Sequence, residues 1–254
     1  MDIRVKSILR HPVKGLTSEP VGEVRLTPGK GIQNDRRFAL ALSSAAKEMA
    51  STAWMPKSNF LMLQKYERLA QLETQFNDET ETLRVLRGSH QVASGRLTDR
   101  IGCSAIEDFF SAFMRDNIQG QPKLVETTGY HILSDHPSPV ISVLNLSSVK
   151  DLERITKEAI DPLRFRANIW LEGMPPWLEF EWIKKRIKIG SVSFSITDRI
   201  SRCAAINVNP KTGLRDQNLV KALQMGYEHT DLGIYMRVES SGAIKPGDLI
   251  SVPN

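Results

Sequence analysis

Short runs of apolar residues at every second position, each closed by Pro, Gly or Asn, recur along this chain. That repeat commits it to short strands joined by turns. Ile3, Val5 and Ile8 open one run, residues 22–26 form a second and residues 37–42 a third. Leu69, Leu72 and Phe76, then Leu83, Val85 and Leu86, flank the polar stretch 77–81, which predicts a hairpin. Strands continue in the second half. An extended run to Leu133, a loop over 134–139 and an apolar segment over 140–144 come first. Further strands are expected over 164–171, 187–189, 192–197, 204–208, 234–238 and 249–252.

Helical spacing interrupts this pattern in few places. Ile106, Phe109, Phe110, Phe113 and Met114 share one helix face, and Ser104 with Glu107 reads as a capping box at its start. Shorter helices are expected after Ser147 and over 218–225. Gly120 and Pro122 break the first helix, so the expected units are 1–120 and 121–254. Many strands and few helices give a mainly β chain of α+β type, a barrel or sandwich rather than a doubly wound sheet.

With 254 residues and 41% hydrophobic content the chain can build ordinary cores. Its net charge of +5 suits a phosphorylated small molecule and is too mild to imply nucleic acid. The first residues lack the continuous apolar core of a signal peptide, and no stretch is long and apolar enough to span a membrane. A cytoplasmic protein without nucleic-acid or membrane partners is expected. Cys103 and Cys203 are the only cysteines, too few for a four-cysteine cluster.

Cys203 follows Arg199 and Arg202, and neighbouring guanidinium groups favour a thiolate, the form that attacks or binds metal. From local sequence alone, a lone cysteine before Ala204, Ala205 and Ile206 is more commonly a buried small hydrophobe. Cys103, with no basic neighbour, reads as core. A second set of residues, Lys14, Arg36, Arg37 and Arg166, attaches cations to turns, where their convergence would bind phosphate oxygens. Singly, each is an ordinary surface charge. His136, in the 134–139 loop beside Pro137, reads as a surface residue.

Motifs set the odds differently when taken together. Arg202 to Gly213, preceded by Phe165 to Asn168 and by Glu181 and Trp182, and followed by Gly233 to Tyr235 and Gly242 to Asp248, resembles the MOSC domain. His11 to Gly15 and Asn34 to Phe38 resemble the N-terminal β-barrel domain that accompanies it in mitochondrial amidoxime-reducing components and their bacterial relatives. The resemblance implies a β-barrel MOSC domain behind a smaller N-terminal β-barrel-like domain, and a molybdenum–molybdopterin cofactor with Cys203 as catalytic residue and metal ligand. It also implies Lys14, Arg36, Arg166, Asn168 and Arg202 as cofactor-binding residues, with Ser138 and Tyr235 beside them. Pyridoxal phosphate binding is a further expectation.

The chain departs from its relatives at Ile200, where some carry a second cysteine, and at Ala167, where many have proline. Some bacterial relatives continue into a ferredoxin-like domain. Here electrons are expected from a separate protein (ferredoxin, flavodoxin or cytochrome b5-like) and its reductase. Three functions stand open: a reductase of N-hydroxylated small molecules such as amidoximes, a sulfur carrier holding a persulfide on Cys203, and a barrel that has lost its cofactor and binds another anion.

Overall fold

Hydrogen bonding along the alternating runs produces a mainly β molecule, described here from a computed structural model covering residues 2–42, 55–127 and 132–252. The first half contributes β1 (Arg4–Arg10), β2 (Glu19–Pro20), β3 (Val24–Leu26), β4 (Phe38–Ala41), β5 (Glu73–Asn77), β6 (Thr82–Arg87), β7 (His90–Arg96), α1 (Arg100–Phe113) and β8 (Lys123–Glu126). The second contributes β9 (Ile141–Asn145), α2 (Leu146–Thr156), β10 (Ile169–Glu172), β11 (Arg186–Ile189), β12 (Val192–Ser201), α3 (Leu219–Tyr227), β13 (Asp231–Val238), β14 (Gly242–Ile244) and β15 (Ile250–Ser251). Among the described residues no helix is long and apolar enough to cross a membrane.

The principal sheet has eight strands in the order β15-β11-β12-β13-β9-β10-β1-β2. It closes on itself, because Val5 N–H donates to the Asp248 carbonyl at 3.0 Å and Gly247 N–H to the Val5 carbonyl at 2.8 Å. Closure satisfies edge amides that would otherwise face water or another chain. Val5, Ile8, Val143, Leu171, Ile187, Phe194, Ile196, Met236 and Val238 fill the interior. Among the described strand pairs of this sheet β9 and β10 alone run parallel, and α2 supplies the crossover that a parallel pair needs. Strands of the first half pair with strands of the second: β1 lies beside β10 in this sheet, and β3 pairs with β14.

A second core gathers Phe38, Leu40, Leu61, Phe76, Leu83, Val85, Ile106, Phe110 and Met114 between the meander β5-β6-β7 and α1. The expected hairpin is there, with Phe76 opposite Leu83. β7 was not expected, since its residues are mostly exposed and lack apolar alternation. Contact between α1 and β7 is backbone on backbone. A Cβ on Gly95 would come within 2.2 Å of the Gly102 carbonyl oxygen, so any side chain there would force the helix off the sheet.

The boundaries of α1 correct the sequence reading. Asp99 is the N-cap and its carboxylate accepts from Gly102 N at 2.7 Å, so the helix starts before Ser104. Glu107 caps nothing. It is buried and accepts from Lys123 Nζ at 2.7 Å and Leu124 N at 2.9 Å, tying α1 to β8. Two expected strands are also corrected. Over 164–171 only Ile169 onward is extended. Pro162–Phe165 is a 3-10 turn, capped by Asp161 on Leu163 N and closed by Arg166 at φ 51°. Over 204–208, Ala204–Asn207 is likewise a 3-10 turn, with Ile206 N–H donating to the Cys203 carbonyl at 3.2 Å. Apolar alternation fits either backbone over so few residues, and local hydrogen bonds decide between them. The expected run to Leu133 includes 128–131, outside the described residues, and shows strand over Lys123–Glu126.

Candidate functional site

These two turns open one mouth of the barrel into a cavity of about 380 Å³. Lys14 enters from the turn after β1, Arg36 from the loop before β4, Arg166 and Asn168 from the segment before β10, Arg202 and Cys203 from the end of β12, and Tyr235 from β13. All seven line the cavity. Ser138 does not: its N–H donates to His136 Nδ1 at 3.0 Å within the 134–139 loop. Sequence reasoning missed Lys57, Asp135, Ser142 and Arg164, which also line it. The loop holding Asp135 was marked, but no local pattern distinguishes Lys57.

Cys203 stands at the N-cap of its 3-10 turn, half-buried, rather than within a strand. Of the two arginines expected beside it, only Arg202 is there. Arg199 stacks on Phe180, its guanidinium carbon 4.2 Å from the ring centroid. Lys57 takes its place. Burial works against its charge, but Cys203 and then Asp135 hold its ammonium above the ordinary lysine range.

Each cation is fixed differently. Arg36 donates to Asp35 Oδ2 at 2.5 Å, to the Arg166 carbonyl at 2.9 Å and to Asn168 Oδ1 at 3.3 Å. Asn168 also accepts from Ser142 Oγ at 2.8 Å and donates to the Leu9 carbonyl at 3.1 Å, so its amide is spent within the protein. Arg164 pairs with Asp216 at 2.6 Å. Lys14 pairs with Asp135, while burial pulls its ammonium below the usual lysine range.

Arg166 and Arg202 have no carboxylate within ion-pair distance among the described residues. Arg166 donates to the Leu16 carbonyl at 2.7 Å, and burial, then the Arg36 charge, pull its pKa down to about 9. Arg202 donates to the carbonyls of Leu232 at 2.7 Å and Phe165 at 2.8 Å, and burial pulls it down to about 10. Among the described residues its Nη2 is buried without a hydrogen-bond partner. Gly233 makes room for this group at φ 83°: a Cβ there would meet Arg202 Nη2 at 3.1 Å and the Val143 carbonyl oxygen at 2.3 Å. Unpaired enclosed guanidinium groups are costly, and an anion in the cavity would relieve them.

Behind the wall, His11 is buried, with Nδ1 3.5 Å from Asp35 Oδ1. Burial, then Arg36 and Arg166, push its pKa down to about 3, so the folded protein keeps it neutral. Unfolded chains bind that proton from 6.5 downward. Stability should therefore fall as pH drops through the window from 6.5 to about 3, by about 1.4 kcal/mol per pH unit where the effect is full. Asp35 adds the same sign further down. Burial raises its carboxyl, but Arg36 and His11 outweigh that and hold it below its ordinary range. Urea titrations across that window check this, with His11→Gln flattening the slope. An equally steep slope in the variant would remove His11 from the explanation.

Two family models match in tandem, that of the MOSC N-terminal beta barrel domain over residues 2–120 and that of the MOSC domain over residues 131–251. The chain belongs to the MOSC domain family. Similar curated proteins are molybdenum cofactor sulfurases. One from Caenorhabditis elegans is 26% identical over 245 residues, which is 92% of this chain and 33% of that protein. One from Homo sapiens is 34% identical over 92 residues, 36% of this chain and 9% of that protein. This MOSC chain thus spans about a third or less of the length of these relatives. Among solved structures, the YuaD protein from Bacillus subtilis aligns over 98% of this chain and 94% of its own, at 14% identity and a TM-score of 0.49. YiiM from Escherichia coli aligns over 45% of this chain and 54% of its own, at 13% identity and a TM-score of 0.34. In this MOSC protein Lys14, Arg36 and Lys57 come from the segment matched by the N-terminal model and Arg164 to Tyr235 from the MOSC segment. Both segments build the cavity wall.

Proposed function

We propose that the cavity holds a molybdenum–molybdopterin cofactor and that, with it, the protein reduces N-hydroxylated compounds. The observation that carries this reading is the pair Arg166 and Arg202, which among the described residues have no carboxylate within ion-pair distance and leave Arg202 Nη2 without an acceptor, on the wall that presents Cys203. The residues fit such a group. Arg36, Arg166, Arg202 and Lys14 offer charge-assisted donors for an anionic, phosphate-bearing molecule. Cys203 is the one thiol on the wall, and a soft sulfur donor suits molybdenum. A volume of about 380 Å³ is within the range of small-molecule sites.

Each residue then has a task. Cys203 Sγ is the protein's ligand to the metal, and Gly233 keeps the Arg202 fork clear. Asn168 acts through Arg36, which it orients. Tyr235 keeps its phenol proton, because burial raises its pKa, and stands with its ring centroid 5.1 Å from that of His136. Lys57 and Tyr235 are therefore proton-bearing groups on the cavity wall. When bound, the cofactor would supply two electrons to the N–O bond of the substrate, which with two protons would break to give an N–H bond and water. A separate electron-transfer protein and its reductase return them. Pyridoxal phosphate forms no part of the reading, since Lys14 is engaged by Asp135 and the Leu133 carbonyl.

A second reading is favoured by the similarity to molybdenum cofactor sulfurases: Cys203 carries a persulfide for sulfuration, with Lys57 and Arg202 stabilising the anionic sulfur. Benzamidoxime reduction by cofactor-loaded protein with an artificial electron donor separates the two. Turnover to benzamidine is expected. Fully loaded protein that never turns over would leave the sulfur-carrier reading in its place.

A further inference from the structure

We propose that Asp135 is a resident anion that occupies the Lys14–Lys57 pair until a multiply charged ligand displaces it, making Asp135 a specificity-determining residue of the cavity. The inference rests on reading the cavity as an anion site and adds the means by which it rejects weak anions. Among the described lining residues Asp135 is the sole carboxylate, on a wall shared with Lys14, Arg36, Lys57, Arg164, Arg166 and Arg202. Its Oδ1 is 2.5 Å from Lys14 Nζ and its Oδ2 is 3.7 Å from Lys57 Nζ.

Exposure decides which partner can move. The Lys14 side chain is 8% exposed and also donates to the Leu133 carbonyl, whereas the Asp135 side chain is 46% exposed. Among the described residues only Lys14 and Lys57 lie within ion-pair distance of that carboxylate. Asp35 shows the contrast: its side chain is 2% exposed, and it accepts from the His11 backbone N–H as well as from Arg36. Asp35 is a fixed counter-ion. Asp135 can rotate away while Lys14 stays in place.

A tethered carboxylate competes with every incoming anion for the same two ammonium groups. A monoanion brings no more charge than it displaces and gains little. A phosphate-type ligand with several charges gains more from the cluster than the displaced carboxylate loses. Discrimination then comes from a built-in competitor as well as from favourable contacts.

The test uses the full chain freed of cofactor, titrated calorimetrically with inorganic pyrophosphate and, separately, acetate at low ionic strength. Asp135→Asn should bind pyrophosphate about tenfold more tightly and acetate measurably, with both gains shrinking in salt. Asp135→Glu should remain close to wild type. Lys57→Met should weaken pyrophosphate binding in both the wild-type and Asp135→Asn backgrounds. Unchanged or weaker pyrophosphate binding by a folded Asp135→Asn protein would overturn the proposal, because the carboxylate would then be positioning Lys14. The readout requires no molybdenum. A tenfold gain in a protein that never accepts the cofactor would defeat the molybdenum reading and leave this one standing. A molybdenum-loaded protein with no such gain would do the reverse.

Discussion

Replacing Cys203 with alanine should reduce molybdenum in gently purified protein from about one atom per chain to less than about a tenth, a loss of more than ~1.4 kcal/mol in metal binding. The expectation follows from where the thiol is held. A 3-10 turn, not a strand, presents Cys203 at its N-cap with its backbone carbonyl tied to Ile206. It is the only thiol on the cavity wall. Alanine leaves the turn's backbone bonds intact, so the fold should survive and the metal should not. Phosphate-holding cations are untouched, and some metal-free pterin should remain. Metal analysis beside pterin fluorescence checks both. Full molybdenum occupancy in the variant would remove Cys203 as ligand.

Arg166→Met is expected to separate binding from stability. Losing one charge-assisted contact costs about 1.5–3 kcal/mol, roughly a 10- to 150-fold weaker hold on the cofactor. Stability of the cofactor-free protein should hold steady or rise. The native guanidinium is enclosed beside the like charge of Arg36, has no carboxylate within ion-pair distance among the described residues, and donates to the Leu16 carbonyl. Methionine fills similar space without that charge, at the expense of a hydrogen bond worth about 1 kcal/mol. Thermal unfolding of cofactor-free protein, paired with cofactor retention through gel filtration, reads the two effects apart. Unchanged retention would exclude Arg166 from the site, and a sharp loss of stability would show that its charge is already compensated.

Fold and site were legible in the sequence to different depths. Period-2 runs located the barrel strands, because one face of each run fills the interior. The same signal failed at 162–165 and 204–207, where i to i+3 hydrogen bonds take precedence over alternation too short to decide. Those turns are what bring Arg166 and Cys203 to the cavity. Ordered motifs marked Lys14, Arg36, Arg166, Arg202, Cys203 and Tyr235, but their convergence depends on ring closure between β1 and the 247–250 segment, a long-range contact no local pattern shows. Lys57 and Asp135 escaped for the same reason, since their meaning comes from partners far away in sequence. The capping box was misread because Ser104 and Glu107 have the right spacing, while Asp99 stands at the start of the helix.

X-ray absorption at the molybdenum edge, on cofactor-loaded wild type and on Cys203→Ala reloaded with excess cofactor, tests the central claim most directly. One sulfur scatterer fewer in the variant is the predicted result. Identical sulfur counts in the two proteins would contradict the account.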